Sequence, residues 1–571
     1  MNLAEAMSLA NTGAASAGAE FRVFLSCSFT PLHLRTLLAA HLVERLPGRR
    51  VTVGAGPYGD LLASLRQVDG AAFEAAAVAI EWEDLDPRLG LRSSQPGSAS
   101  LPADVLQSAA SRLQALAGAL RALAEKVTVA VSLPTLPLAP MTAEPLAEAA
   151  PAALELKAKA AEFGALLAAL KSIRLVSPEA LGRLSPAHSR HDAQGHLRWD
   201  FPYHQAHASA LAQLLSRAIA PAPAKKAIIT DLDGTLWHGV LGDDGVEGIS
   251  WDLGSGSHHH AIYQRMLCAL ADAGVLVGVA SKNDPKLAQE ALARKDLVVG
   301  RKMIFPVEAN WGPKSASVGS LLKAWNIGAD GAVFVDDSEF ELAEVKGAFP
   351  GVTCLPFPKD AGGLGPFVDR LKELFGRRNV TSDDRLRLGS LRQNWERNTS
   401  AAGTSEDDFL SGAEATVTAV FNKPDARMFE LVNKTNQFNL NGRRLDEAAW
   451  RRQPSEAGSF VLGIAYQDKF GPLGTVAVVA GRKEGARARV LTWVMSCRAF
   501  SRRIEHQTLR ILFDSLGVAA VDLDYAATER NGPFHGFLRS IGAPDAGSPV
   551  PIGREEFLSK CPRLFAKTLA G

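Results

Sequence analysis

Two aspartates stand two residues apart in Asp231-Leu232-Asp233-Gly234-Thr235, directly behind the short apolar run Ala227-Ile228-Ile229-Thr230. Carboxylates in that spacing, at the end of a buried strand, suit phosphoryl chemistry. Asp231 is placed to attack phosphorus and hold it as an aspartyl-phosphate. Asp233 is placed to protonate the leaving oxygen and then to activate the attacking water. Two carboxylates beside a phosphate repel each other, so a divalent cation is required, and hard oxygen ligands favour Mg²⁺. Ser281 follows the apolar run 275–280 and offers a hydroxyl to the transferring phosphoryl group. Lys314, in Asn310-Trp311-Gly312-Pro313-Lys314-Ser315, offers a neutralising charge. Asp336 and Asp337 follow the run 332–335 and add carboxylates. The expected metal set is therefore Asp231, Asp233, Asp336 and Asp337.

These groups need a scaffold that brings strand ends together. Strands are predicted at 227–230, 275–280, 303–305, 332–335 and 352–355, with helical segments between them, which is the pattern of a parallel α/β sheet. Ligands of such sheets bind beyond the carboxyl ends of the strands, where all four groups fall. A lone Asp-x-Asp reads as well as a capped turn. Acid, hydroxyl, base and acid at consecutive strand ends do not.

The stretch from Asp233 to Ser281 holds a short Gly-rich segment and one helix, and the stretch from Ser281 to Lys314 holds a helix and a strand. Neither has room for a folded cap, so water exclusion must come from a neighbouring domain or a large partner, or else from the flap 237–247. His258, His259 and His260 are consecutive, so on a helix they point apart and cannot share one metal ion. They read as surface or helix-start residues.

The remaining chain organises around this centre as a multidomain α/β protein. Residues 1–19 read as a flexible leader of small residues. Residues 20–220 alternate strand and helix as a further α/β domain. Pro221-Ala222-Pro223-Ala224 is the clearest linker, followed by the catalytic domain at 225–375. A charged helical linker spans 376–411. Residues 412–571 read as α+β with a largely antiparallel sheet. With 571 residues, several domains are expected.

Composition narrows the function. Lys plus Arg is 62 against Asp plus Glu 61, a net charge of +1. That gives no basic surplus for nucleic acid. Hydrophobic residues are 47% and charged residues 22%, an ordinary globular mix. Five Cys in so long a chain are no disulfide framework. No run of apolar residues suits a membrane span or a signal peptide, so a cytoplasmic protein without membrane or nucleic-acid partners is expected.

The motif set at Asp231/Asp233, Ser281, Lys314 and Asp336/Asp337 resembles the haloacid-dehalogenase (HAD) superfamily. The segments Leu236-Trp237-His238-Gly239-Val240-Leu241-Gly242-Asp243-Asp244-Gly245 and Ala280-Ser281-Lys282-Asn283-Asp284 narrow that likeness to the FkbH-like subfamily (IIIC). So do Asn433-Lys434-Thr435-Asn436-Gln437-Phe438-Asn439 and Trp493-Val494-Met495-Ser496-Cys497-Arg498. The resemblance implies an SGNH-like (flavodoxin-like) α/β domain, a Rossmann-like HAD domain without a large cap, and a GNAT-like α+β domain. It implies a bifunctional glyceryl transferase and phosphatase that takes 1,3-bisphosphoglycerate, a small phosphorylated C3 substrate, and loads a glyceryl unit onto an acyl carrier protein for polyketide-type biosynthesis. Substrate contacts are expected at Thr235, Lys282, Asn283 and Arg498.

Acyl transfer through an enzyme thioester asks for a reactive thiol. Cys497 has the most basic surroundings, with Arg498, Arg502 and Arg503 following it; the alternative is a buried thiol closing a strand. The turn 498–503 carries Ser501 and Arg503 where a GNAT-type pyrophosphate site is expected to use glycine, which favours a phosphopantetheine arm over acetyl-CoA. The loop with Asn433, Thr435 and Asn436 reads either as recognition of a polar acyl group or as a loop that holds the fold. In the first domain, Ser26, Ser28, Asp200, His204 and His207 are a poor match to an SGNH triad, and partner docking is the better reading. Two other functions fit the sequence: a plain Mg²⁺-dependent phosphatase for a phosphoprotein or sugar phosphate, and a non-catalytic adaptor for a carrier protein. The intact acidic motifs argue against the adaptor.

Overall fold

The structure is a computed structural model that describes residues 1–571 apart from 95, 139–141, 146, 378–405, 446–449, 451–452, 470, 497–498, 501, 529–530 and 544–547. The chain forms two compact units, Met1–Pro223 and Ala224–Gly571. Their boundary falls inside Pro221-Ala222-Pro223-Ala224. Most of the expected charged linker lies outside the described residues.

The first unit opens on a correction. Residues expected as a loose leader form the helix Leu3–Ala14. Asn2 and Glu5 cap it reciprocally, each side chain accepting the other's backbone N–H at 2.9 Å. Ala6 is fully buried, and at Gly13 a Cβ would stand 2.1 Å from Val43 Cγ2. The small residues that read as low complexity are thus what lets this helix lie close to the helix Leu32–Arg45.

Behind it, five strands build a parallel sheet: β1 (Glu20–Ser26), β2 (Arg50–Ala55), β3 (Ala75–Ala79), β4 (Thr128–Ser132) and β5 (Ile173–Leu175). Their order is β2-β1-β3-β4-β5, the flavodoxin-like arrangement whose direction of winding reverses between β1 and β3. Apolar cores cover both faces.

The second unit begins with β6 (Ala227–Thr230), β7 (Leu276–Ser281), β8 (Ile304–Ala309), β9 (Ala332–Asp336) and β10 (Thr353–Pro356). They form a second all-parallel sheet in the order β10-β9-β6-β7-β8. Strands β6, β7 and β9 are buried along their whole length. They are therefore continuous apolar runs rather than alternating ones, as a sheet covered on both faces demands. No folded cap interrupts it among the described residues: the helices Leu241–Gly248, His258–Asp272 and Pro285–Leu292 fill the two connections.

The third sheet holds β11 (Thr416–Phe421), β12 (Phe438–Asn439), β13 (Ser459–Asp468), β14 (Gly471–Glu484), β15 (Arg487–Met495), β16 (Ala520–Leu523), β17 (Val550–Gly553) and β18 (Lys567–Ala570). It is antiparallel except at β11–β18 and β15–β16. Strands β15 and β16 pair only over 487–490 and 520–523. Beyond that they part, and 438–441 occupies the gap. Leu440 N donates to Trp493 O at 2.9 Å while Leu440 O accepts from Ala526 N at 3.1 Å. Asn441 Nδ2 donates to the carbonyls of Leu491 and Asp524, both at 3.0 Å. No helix among the described residues is long and apolar enough to cross a membrane.

Candidate active site

Strand order decides which of the predicted groups meet. β6 lies at the centre of its sheet, between β9 and β7. Asp231, the residue after β6, therefore sits between Asp336 at the end of β9 and Ser281 at the end of β7. Lys314 opens the helix Lys314–Trp325 that follows β8. Its Nζ lies 2.8 Å from Asp231 Oδ2 and 2.6 Å from Asp336 Oδ2. All three side chains are buried, and Asp336 Oδ1 accepts the backbone N–H of Ser338 at 2.9 Å.

The electrostatics follow from two acids and one base out of water. Burial pushes the Asp231 carboxyl upward, Lys314 opposes it, and Asp336 adds repulsion. Burial likewise raises Asp336 against the pull of Lys314. At Lys314, burial disfavours the ammonium, but the two carboxylates outweigh it and hold it above its ordinary range. A fully ionised trio carries a net negative charge, so one carboxylate is drawn toward protonation unless another cation is at hand.

The residues fit a hard dication. Oxygens of Asp231, Asp336 and Asp337 lie within 4.8 Å of one another. Asp231 Oδ1 is buried with no hydrogen-bond partner, and Asp337 is exposed at the mouth. Gly234 makes this approach possible: at φ +66° a Cβ there would stand 2.5 Å from Asp337 Oδ2. The carboxylate of Asp233 does not join that group. Its Oδ1 accepts from Trp237 Nε1 at 2.8 Å and its Oδ2 from Asn283 Nδ2 at 3.0 Å. Asn283 Nδ2 also lies 3.1 Å from Ser281 Oγ. Asp233 is thus aimed by two donors, which suits an acid–base group rather than a side-chain ligand.

The other expected contacts sort by what already holds them. Thr235 is fully buried, its hydroxyl without a partner. Lys282 pairs with Glu341 at 2.7 Å, so its charge is committed. His260 stands in the first turn of its helix, as one of the two readings has it, but it is not at the surface: it is buried, and its Nδ1 lies 2.9 Å from Thr235 O, bracing the loop 231–235. The sequence placed Trp237 in a flap and did not show that it bonds Asp233, nor that His260 reaches Thr235. The signal for Trp237 was its place four residues after Asp233.

In the third region, Asn433 Oδ1 accepts Leu445 N at 3.0 Å and its Nδ2 donates to Phe429 O at 3.2 Å. Arg444 donates to Thr435 O and to Asn436 Oδ1. These contacts favour the reading in which the loop holds the fold. Cys497 and Arg498 lie outside the described residues, as does Ser501. Of the basic neighbours expected around Cys497, Arg502 faces Asp468 and the Tyr466 ring, and Arg503 pairs with Asp407. Arg503 has φ +56°, so it does stand where glycine is the easier residue.

The first unit assembles no Ser-His-Asp relay from the candidate residues. Ser26 Oγ is bonded to Ser64 Oγ at 2.9 Å. Asp200 pairs with Arg92, and His204 is exposed. His207 lies buried between Thr135 and Ser185, and burial, seconded by Arg190, pushes it down to about 3.

No family model matches the chain, and no curated protein matches it. Among solved structures, the chain is similar to the N-terminal part of the protein BF1531 from Bacteroides fragilis, which contains a phosphatase domain and is complexed with Mg. Identity is 19% and the TM-score 0.54, covering 66% of this chain and 100% of that one. That likeness is one of fold. An uncharacterised protein from Corynebacterium glutamicum matches at 17% identity over 27% of this chain and 99% of that chain, with a TM-score of 0.20, too loose to carry an argument.

Proposed function

We propose that this chain is a Mg²⁺-dependent phosphohydrolase of the HAD type, working through an aspartyl-phosphate on Asp231. The observation that carries the reading is the buried trio in which Lys314 Nζ bridges Asp231 and Asp336 while Asp231 Oδ1 is left without a partner. The Bacteroides fragilis protein, with its phosphatase domain and Mg, supports it.

In this reading Asp231 attacks phosphorus, and the bond to the leaving oxygen breaks as Asp233 gives that oxygen a proton. Asp233 then takes a proton from water as the water oxygen attacks the same phosphorus, which frees phosphate and restores Asp231. Lys314 holds Asp231 in place and offsets charge on the phosphoryl oxygens. Asp231, Asp336 and Asp337 would hold Mg²⁺, which when bound screens the phosphate from the carboxylates. Phosphate release from a small phosphomonoester, with and without EDTA, tests this; full activity in EDTA would rule it out.

The finer reading rests on the sequence resemblance: a cytoplasmic glyceryl transferase and phosphatase acting on 1,3-bisphosphoglycerate, with an acyl carrier protein as acceptor through its phosphopantetheine arm and Cys497 as the acyl-carrying thiol. Two features support a protein partner. No folded cap interrupts the sheet among the described residues, and Trp311 and Phe340, on segments that follow β8 and β9, are each 73% exposed. The test is the intact mass of a carrier protein incubated with the enzyme, Mg²⁺ and a mixture that generates 1,3-bisphosphoglycerate. A mass gain that Cys497→Ser abolishes is expected; an unchanged carrier mass, or loading that survives the substitution, overturns transfer or the role of Cys497 respectively.

A further inference from the structure

The first unit has its own converging donors, well away in sequence from the Asp231 motif. Thr30, four residues past β1, donates its backbone N–H to Asp200 O at 2.8 Å and its hydroxyl to Trp199 O at 2.9 Å. Glu83 lies in the short helix Trp82–Leu85 that follows β3. These segments leave the carboxyl ends of β1 and β3, between which the winding of the sheet reverses. Ligands of doubly wound sheets bind at that place.

The carboxylates of Glu83 and Asp200 and the imidazole of His196 each offer a ligand atom there, all within 4.8 Å of one another. His196 is 3% exposed, and its Nε2 is buried without a hydrogen-bond partner although Glu83 Oε2 lies 3.4 Å away. A charge-assisted hydrogen bond would draw the two to about 2.8 Å. Two ligands on a tetrahedral Zn²⁺, each about 2.05 Å from the metal, stand about 3.4 Å apart. The other ring nitrogen, Nδ1, lies 3.2 Å from His191 Nε2, which can accept its N–H in the place where metal-bound imidazoles usually have a carboxylate, carbonyl or water. Charge points the same way. Arg92 pairs with Asp200 Oδ1, but two carboxylates against one guanidinium leave a negative site.

We propose that Glu83, His196 and Asp200 form a transition-metal dication site, separate from the Mg²⁺ cluster of the second unit. Imidazole together with carboxylate selects Zn²⁺ over Mg²⁺. Three protein ligands leave one tetrahedral position for water or a small anion.

The experiment uses the full chain, stripped with chelator and then equilibrated with Zn²⁺ in a large excess of Mg²⁺. Zinc content is measured after desalting, and Co²⁺ is used in parallel for its visible d–d absorption. Wild-type protein should retain a single Zn²⁺ and give the absorption of a four-coordinate Co²⁺ site. Asp336→Asn should retain the same zinc, since it alters only the other cluster. Glu83→Gln and His196→Gln, checked by circular dichroism, should lose it, and His191→Ala should weaken it about ten- to a hundredfold. Failure of the wild-type chain to hold Zn²⁺ against Mg²⁺, or retention in folded Glu83→Gln or His196→Gln, overturns the proposal. Should those variants misfold, the wild-type zinc content and Co²⁺ spectrum decide alone.

Discussion

Two five-stranded parallel sheets in this chain bury carboxylates at their carboxyl edges, and they stabilise them by opposite means. In the second unit, Asp231 and Asp336 share the ammonium of Lys314. In the first, Glu81 is enclosed by neutral donors: Thr135 N at 3.0 Å, Thr135 Oγ1 at 2.6 Å, Leu136 N at 3.1 Å and Tyr203 Oη at 2.7 Å. A shared cation satisfies charge without using every lone pair, so Asp231 Oδ1 stays without a hydrogen-bond partner. A shell of donors uses both oxygens of Glu81 and leaves nothing to react. Burial pushes Glu81 up to about 7 even with four donors opposing it. The same architecture thus leaves one buried carboxylate with an unpartnered oxygen and another fully bonded, according to whether the partner is a point charge or a set of hydrogen bonds.

The comparison breaks most sharply at its reactive end. Asp231→Asn should lower phosphate release by about 10⁴-fold or more with circular dichroism unchanged, because a carboxamide cannot accept the phosphoryl group. Phosphate release near the wild-type rate would remove Asp231 from the mechanism. Lys314→Met takes the cation from two buried carboxylates. Metal-free protein should lose about 3–5 kcal/mol in denaturant unfolding, and Mg²⁺ should restore part of it, whereas an equal loss with and without Mg²⁺ would separate the lysine from the metal cluster.

Glu81→Gln sharpens the structural end through pH. The folded protein holds a proton on Glu81 up to about pH 7, while the unfolded chain releases it near the ordinary value of 4.5. Stability from that proton is fully present below pH about 4.5 and is lost as pH rises through about 7, a change of about 3 kcal/mol. The glutamine variant should flatten this part of the profile measured by urea unfolding from pH 4 to 8; an unchanged slope would show that Glu81 stays ionised. The smallest effect concerns aim. Trp237→Phe removes the indole donor from Asp233 while keeping most of the packing, and should lower kcat about tenfold with KM little changed. A rise in KM at constant kcat would place Trp237 against substrate instead.

How far the sequence carried this picture depended on the kind of physics involved. Strands β6, β7 and β9 are continuous, fully buried runs, and the Asp231, Ser281 and Asp336 positions follow from them because ligands gather at strand ends. The helix Leu3–Ala14 was missed because its Ala, Ser and Gly residues carry little apolar signal, whereas its stability comes from a capping pair and close approach. Asp233 was expected among the metal ligands because spacing cannot tell which way a side chain turns; that is decided by Trp237 and by Asn283, 50 residues further on. His260 looked like one of three alike, and only the helix phase sent it inward to Thr235.

The gap between β15 and β16 already has an occupant. Leu440 and Asn441 lie in it as a short piece of the chain's own backbone, stitched to both banks. A guest seeking to slide between those strands would first have to evict a tethered resident whose local concentration never falls. The carbonyls of Leu491 and Asp524 would each lose a donor, at about 1–3 kcal/mol apiece if left dry. The seam is thus laced shut by the chain itself, and parting it means undoing four hydrogen bonds of Leu440 and Asn441 together.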